Sequence, residues 1–182
     1  MPKLKIAIRP YDPKDCPELF KIATKDIFTW LPYGPFETES EMRAFYKKKS
    51  ADCEFFTVFN LNSKTIHGIF ALKNISEHKK CEIGHIWYGE QYQKTHVNTQ
   101  AMFLALLECF EARKFRRVAW KCDNLNSNSS RCALRLGFRK EGIFRNDQIV
   151  KGKNKDTAWF AIIDNDWPKV KQNLTELISS TY

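Results

Sequence analysis

The amino-acid sequence predicts an α/β (α+β) fold: one domain over residues 1–182, built on a central mixed, mostly antiparallel twisted sheet of about seven strands flanked by helices. Three observations carry this. Seven runs either alternate apolar and polar side chains or concentrate Val, Ile and Phe, as strands lying on a core do. Short polar turns separate several of them, which favours hairpins. Between them, residues 81–138 read strand, polar loop, long apolar helix, strand, and a second helix that stops at Gly137-Phe138.

Residues 3–9 set Leu4, Ile6 and Ile8 against polar partners, a first strand ended by Pro10. Asp12 or Asp15 caps the next helix, which carries Pro13 and Pro17 at its opening and Leu19, Ile22, Ala23 and Ile27 on one face, stopping near Trp30. The segment Leu31-Pro32-Tyr33-Gly34-Pro35-Phe36 suits a rigid loop, and residues 37–49 resume as a polar helix anchored by Met42, Phe45 and Tyr46. Strands over 54–60 and 65–73 flank the turn Leu61-Asn62-Ser63-Lys64, and a second turn over 76–80 leads into the central strand, 81–88. Its alternation puts Ile83, His85 and Trp87 on one face and Glu82, Gly84, Ile86 and Tyr88 on the other.

After the polar run that ends in Gln93-Lys94-Thr95-His96, Val97, Ala101, Leu104, Ala105 and Phe110 recur at helical spacing, with Met102, Phe103, Leu106 and Leu107 widening the face. So apolar a helix is buried against a sheet. Its N-terminal N–H groups and positive dipole end could hold a phosphate. Residues 117–122, 139–150 and 156–164 read as the remaining strands, and Asp166-Trp167-Pro168 opens a final amphipathic helix through Val170, Leu174, Leu177 and Ile178.

A chain of 182 residues can bury a full core without metals or disulfides. Hydrophobic content of 43% excludes disorder, and no apolar run is long enough to span a bilayer, so a soluble, cytoplasmic protein is expected, monomer or homodimer. The six cysteines are nowhere closer than ten positions, which offers no metal clip and no disulfide framework; they are read as reduced and mostly buried, and the sequons at Asn74, Asn128 and Asn173 as silent. No metal site is expected. The net charge of +9 leaves open a nucleic-acid partner, an acidic substrate, a phosphorylated cofactor or plain solubility, but aromatics are not interleaved with the basic residues as a base-stacking platform requires.

The loop Gln93-Lys94-Thr95-His96-Val97-Asn98 and the run Asn126-Ser127-Asn128-Ser129 leading to Leu134-Arg135-Leu136-Gly137-Phe138 carry a specific resemblance. Together with Trp30-Leu31-Pro32-Tyr33-Gly34-Pro35-Phe36 and Asp156-Thr157-Ala158-Trp159-Phe160, they resemble the GNAT acetyltransferases over most of the chain, and more closely the branch that includes ribosomal-protein N-terminal acetyltransferases. The family's loop reads Gln-x-x-Gly-x-Gly/Ala; here His96 and Asn98 stand at the two small positions.

The resemblance implies acetyl-CoA as cofactor and an amine-bearing acceptor, a protein N-terminus or a small molecule, attacked directly. It implies a GNAT-like sheet whose parallel strands splay after residue 86, freeing backbone groups of Ile86, Trp87 and Tyr88 for the pantetheine arm. The pyrophosphate is then expected on the N–H groups of Gln93, Lys94, Thr95, His96, Val97, Asn98 and Thr99, with Lys94 and Arg131 offsetting its charge. His96 either crowds the phosphate or donates to it. Asn126 would hold the arm and Ser129 protonate the leaving sulfur; read without the resemblance, both are ordinary helix caps. Trp30, Tyr33 and Phe36 would wall the acceptor pocket, or else plug one end of the core. Gln148 stands where that branch holds a glutamate and cannot accept a proton, so Glu82, Asp147, Asp156 or an ordered water is left as base. Cys122 and Cys132 have no histidine partner in sequence, against an acyl-enzyme. The alternatives are a catalytically weak or inactive acyl-CoA-binding protein and a basic RNA- or ribosome-associated protein.

Overall fold

The computed structural model describes residues 2–181. Its sheet has the seven strands expected: β1 (Ile6–Pro10), β2 (Cys53–Asn60), β3 (Ile66–Ser76), β4 (Lys80–Tyr88), β5 (Arg117–Asp123), β6 (Arg139–Val150) and β7 (Lys153–Ile163), in the order β1-β2-β3-β4-β5-β7-β6. All neighbours run antiparallel except β4 and β5. That parallel pair needs a crossover, and the long helix the sequence predicts supplies it.

The helices are α1 (Cys16–Ile22), α2 (Glu39–Lys49), α3 (His96–Leu107), α4 (Ser127–Arg135) and α5 (Trp167–Thr181). Helix α3 is apolar nearly all round because it is buried nearly all round, and it runs on through a π turn over Glu108–Ala112. It shares one core with Ala133 of α4 and Leu136 at its C-cap, with Trp167, Val170, Leu174 and Ile178 of α5, and with Ile83, Val118 and Phe160 of the sheet. A second core on the opposite face joins Leu19 of α1 and Met42 and Tyr46 of α2 to Phe55, Ile69 and Trp87.

Three expectations are corrected. The first predicted helix is two pieces, α1 and a separate 3-10 turn over Lys25–Trp30. Ala23 leaves helical geometry at ψ 88, and Thr24 donates to Glu90 at 2.5 Å instead of continuing the helix. The simple alternation of β4 fails as well. Register runs from Ala71↔Gly84 to Ile69↔Trp87, so β4 places two residues, His85 and Ile86, opposite Phe70 alone. This bulge puts His85 at φ 53 and reverses the faces beyond it: Ile86 and Tyr88 join the core of Ile83, while Trp87 joins the opposite one. Lastly, β4 and β5 part earlier than residue 86. They pair only from Lys80↔Arg117 to Ile83↔Trp120, and the bulge carries β4 away from its neighbour immediately afterwards.

Candidate active site

Where β4 and β5 separate, a cavity of about 660 Å³ opens between the ends of the two strands, the N-terminus of α3, helix α4 and the Lys25–Trp30 turn. It brings together most of the residues singled out from sequence: Trp30, Ile86, Trp87, Tyr88, Gln93, Lys94, Thr95, Asn98, Asn126, Ser129 and Arg131.

The strand end sets one wall. Gly89 N–H donates to the His67 carbonyl at 3.0 Å, so strand alternation turns the backbone of Trp87 toward β3 and that of Ile86 and Tyr88 toward the gap. Trp87 also sends its indole to the opposite core, where Nε1–H donates to Tyr46 Oη at 3.0 Å. Gln93 Nε2 donates to the Tyr88 carbonyl at 3.2 Å and holds the polar loop against the strand. The Tyr88 hydroxyl is buried without a hydrogen-bond partner, and burial, reinforced by nearby Cys132, lifts its pKa well above the usual phenol range.

The N-terminus of α3 sets the second wall. Thr95 caps it, accepting from Val97 N–H at 3.3 Å and donating to the Tyr92 carbonyl at 2.7 Å. The first-turn N–H of Asn98 has no acceptor within the helix. The loop's left-handed residue is Lys94, at φ 57, two positions ahead of His96. His96 is half-buried and does not line the cavity; burial, and after it the charge of Lys5, lowers its pKa. Val97 and Thr99 are buried in the helix rather than presented to the cavity; Thr99 Oγ1 accepts from Arg135 Nη1 at 2.6 Å.

Helix α4 brings the third wall. Asn126 is its N-cap, accepting from Ser129 N–H at 3.0 Å, so the capping is done by Asn126 and not by the Ser129 side chain. Ser129 Oγ instead accepts from Trp120 Nε1–H at 3.0 Å, which leaves the hydroxyl proton to be given elsewhere. Arg131 and Arg135 stand exposed at the rim, the first donating to Asn128 at 2.7 Å. The open first turn of α3, with Lys94, Arg131 and Arg135 around it, fits the diphosphate of an acyl-CoA. Arg135 and Tyr88's hydroxyl escape a sequence reading because nothing in the spacing marks which turn of α4 or which end of a strand side chain meets the gap.

On the opposite side of the gap the expected aromatic wall divides. Trp30 lines the cavity and is 44% exposed. Tyr33 and Phe36 do not line it; Tyr33 stacks on Phe45 at 4.2 Å, Phe36 lies edge-on to Phe28 at 5.4 Å, and the Tyr33 hydroxyl is buried. The β6–β7 turn, shortened to Lys151-Gly152 because β7 already begins at Lys153, docks here together with the start of β7: Lys151 Nζ donates to the Phe28 carbonyl at 2.8 Å, and Lys155 Nζ pairs with Asp123 at 2.8 Å while lying 5.7 Å from the Trp30 ring centroid.

None of the carboxylates considered as base is free in the cavity. Glu82 is 3% exposed, outside the cavity lining, and is held by Lys73 at 3.0 Å, Asn74 at 2.8 Å and Lys121 at 3.6 Å. Asp156 accepts from Asn146 N–H at 2.9 Å, and Asp147 sits in an exposed bulge of β6 beside Gln148. All six cysteines are free, and among the described residues no group of metal ligands assembles and no helix is long and apolar enough to cross a membrane.

Residues 5–139 match the family model described as an acetyltransferase (GNAT) domain. The chain is 28% identical over 167 residues to the uncharacterized N-acetyltransferase YnaD of Bacillus subtilis (strain 168), covering 90% of this chain and 96% of that one. A second protein of the same organism, YdaF, provisionally named a ribosomal N-acetyltransferase, is 23% identical over 171 residues, 89% of this chain and 93% of its own. Among solved structures, a GCN5-related N-acetyltransferase from Brucella melitensis superposes with a TM-score of 0.91 at 35% identity, covering 97% of this chain and 83% of that one.

Proposed function

Because the chain belongs to the GNAT acetyltransferase family, we propose that this cavity carries acetyl transfer from acetyl-CoA to a primary amine, an N-terminal amine in preference to a lysine side chain. The observation that carries the reading is the convergence of three things on one gap: strand backbone facing away from any partner strand, an open helix N-terminus ringed by cations, and the Ser129 hydroxyl.

Acetyl-CoA, when bound, supplies the activated acyl group. The protein's part is placement and proton traffic. The first turn of α3 with Lys94, Arg131 and Arg135 would hold the diphosphate, and the backbone of Ile86 and Tyr88 would hold the arm in extended form. Backbone N–H at the strand end is also placed to donate to a developing oxyanion. The neutral amine's lone pair makes the C–N bond as the C–S bond breaks with its pair on sulfur. One proton leaves nitrogen and one reaches sulfur, so no net proton is consumed. Ser129 gives the proton to sulfur and regains one from solvent.

The acceptor enters from the side of Trp30, the β6–β7 turn and the start of β7, opposite α3. With Glu82 tied to two lysines and Gln148 in place of a glutamate, none of the carboxylates considered as base is placed to draw off the amine's proton, and the amine arrives neutral. An N-terminal amine, with a reference pKa of about 7.7 to 8.0, meets that condition more easily than a lysine near 10.4. Thiol release measured with a terminal-amine peptide and with an N-blocked, lysine-only peptide tests the reading: faster release with the first, rising with pH toward the amine pKa, is expected. Equal rates on both would remove the terminal preference, and no release with any amine would leave an acyl-CoA-binding protein.

A further inference from the structure

His85 stands at the point where β4 and β5 part, and no role assigned so far uses its side chain. Three independent observations single it out. It is the left-handed residue of the β4 bulge, at φ 53, a conformation that costs energy for most side chains and is better tolerated by His, Asn and Asp. Its ring is fixed from two sides, 5.3 Å from Tyr33 and 5.6 Å from Phe55, so it has little freedom to turn. Its Nδ1 is buried yet has no hydrogen-bond partner, although the residue lines the cavity on the acceptor side with Trp30, Leu31 and Lys121. A buried polar atom without a partner is costly, and one on a residue that lines a reaction cavity is a place for a ligand to complete.

The surroundings fix which kind of ligand. The imidazole feels the charges of Lys49 of α2, Lys73 of β3 and Lys121 of β5, with Glu82 compensating the last two, and Tyr33 and Phe55 contribute no charge. Burial first and these lysines second hold the ring neutral, with a pKa down at about 4. A neutral imidazole has one donor nitrogen and one acceptor. A buried site disfavours a charged ammonium and favours an amine that arrives without its proton.

We propose that His85 orients the acceptor: its Nδ1 accepts one N–H of the neutral amine and so turns the amine's lone pair toward the open end of β4 and β5. This rests on the acetyl-transfer reading of the same cavity. His85 is then a positioning contact to the substrate and not the group that carries the proton away.

The test compares His85→Ala with His85→Asn. Asparagine tolerates the left-handed backbone, and its Oδ1 lies close to where Nδ1 was, so it restores an acceptor without a titrating ring. In thiol-release assays His85→Ala is expected to lower kcat/KM for the amine by about tenfold or more, with KM for acetyl-CoA within about twofold of wild type, and His85→Asn to regain most of the loss. The wild-type rate should follow deprotonation of the amine, with no histidine ionisation between about pH 5.5 and 8. Ala and Asn variants that are both folded and equally active, or a limb near pH 6.5 that vanishes in His85→Asn, would overturn the proposal. Calorimetric titration of alanine amide into the CoA-loaded protein separates this from the parent reading. Alanine amide affinity that falls in His85→Ala and returns in His85→Asn, without turnover by any variant, would keep the contact and overturn acetyl transfer. Turnover indifferent to both substitutions would keep acetyl transfer and overturn the contact.

Discussion

Ser129 is the residue whose two expected roles the structure separates. As Asn126 supplies the cap, Ser129→Ala removes a hydroxyl and not a capping oxygen. It leaves the indole N–H of buried Trp120 without its acceptor, a cost of about 1 kcal/mol or somewhat more. If the hydroxyl protonates sulfur, kcat should fall on the order of 10²-fold, far beyond that stability change, and the Kd for acetyl-CoA should stay put. Melting temperature and kcat on one preparation decide. Lys94→Gly should split in the opposite sense: glycine relieves the left-handed backbone and holds or gains stability, by up to about 1 kcal/mol, while loss of the cation weakens acetyl-CoA binding and flattens its salt dependence. Denaturation midpoints and calorimetry at two salt concentrations check both halves. His85 also writes itself into the stability curve. Its folded pKa of about 4 lies below the unfolded value of about 6.5, so the unfolded chain binds the proton more readily. Stability from the neutral ring is complete above about pH 6.5 and is lost as pH falls toward 4, on the order of 3 kcal/mol in all. Urea melts at pH 7 and pH 5 should show a steeper loss in wild type than in His85→Asn.

At the scale of elements, the segment between α1 and α2 does two jobs that its aromatic composition blends together. Tyr33→Ala and Phe36→Ala empty sites packed among Phe28, Phe45 and His85 and should cost about 3 kcal/mol each, with KM for the acceptor changing only as far as His85 loosens. Trp30→Ala should leave stability within about 1 kcal/mol and raise the acceptor KM. Chemical denaturation beside steady-state kinetics on the three variants distinguishes plug from wall. The sequence could not separate them, because Trp30 and Tyr33 lie on one continuous Pro/Gly-rich run and only the docking of Lys151 and Lys155 from 120 residues away decides which ring faces the gap. What periodicity reports well is what local pattern causes: all seven strands and the buried helix α3 follow from runs such as Val118 and Trp120 or Met102 and Phe103. It fails at the β4 bulge. One extra residue opposite Phe70 is invisible in a two-residue repeat, and it carries Trp87 to the opposite core and His85 to Tyr33 and Phe55, away from Ile83. The surroundings of Glu82 are out of reach for a related reason. Its pairing with Lys73 and Lys121 belongs to neighbouring strands, and no spacing along one strand reveals it.

For the molecule as a whole, the charge distribution is the broadest lever. Several of its cations are paired internally, Lys73 and Lys121 with Glu82, Lys155 with Asp123 and Lys151 with a carbonyl, while Lys94, Arg131 and Arg135 line the cavity where the diphosphate is proposed to lie. Binding of an acyl-CoA should therefore raise the melting temperature, by about 2.7 kcal/mol of apparent stability at a hundredfold excess over Kd. The four-residue register between β4 and β5 has a mechanical meaning. It is where a sheet of four strands, β1 to β4, is stitched to a sheet of three, so the backbone bonds across that line are few and the helices must carry the rest of the load. In the proposed reading, a ligand lying along the gap would bond to one half through β4 and to the other through α4, and would work as a missing stretch of strand. Hydrogen exchange would register it amide by amide. The N–H groups of Ile86 and Tyr88 should exchange faster than that of Trp87 between them, and bound CoA should slow those two selectively while the far strands, β1 and β6, keep their rates.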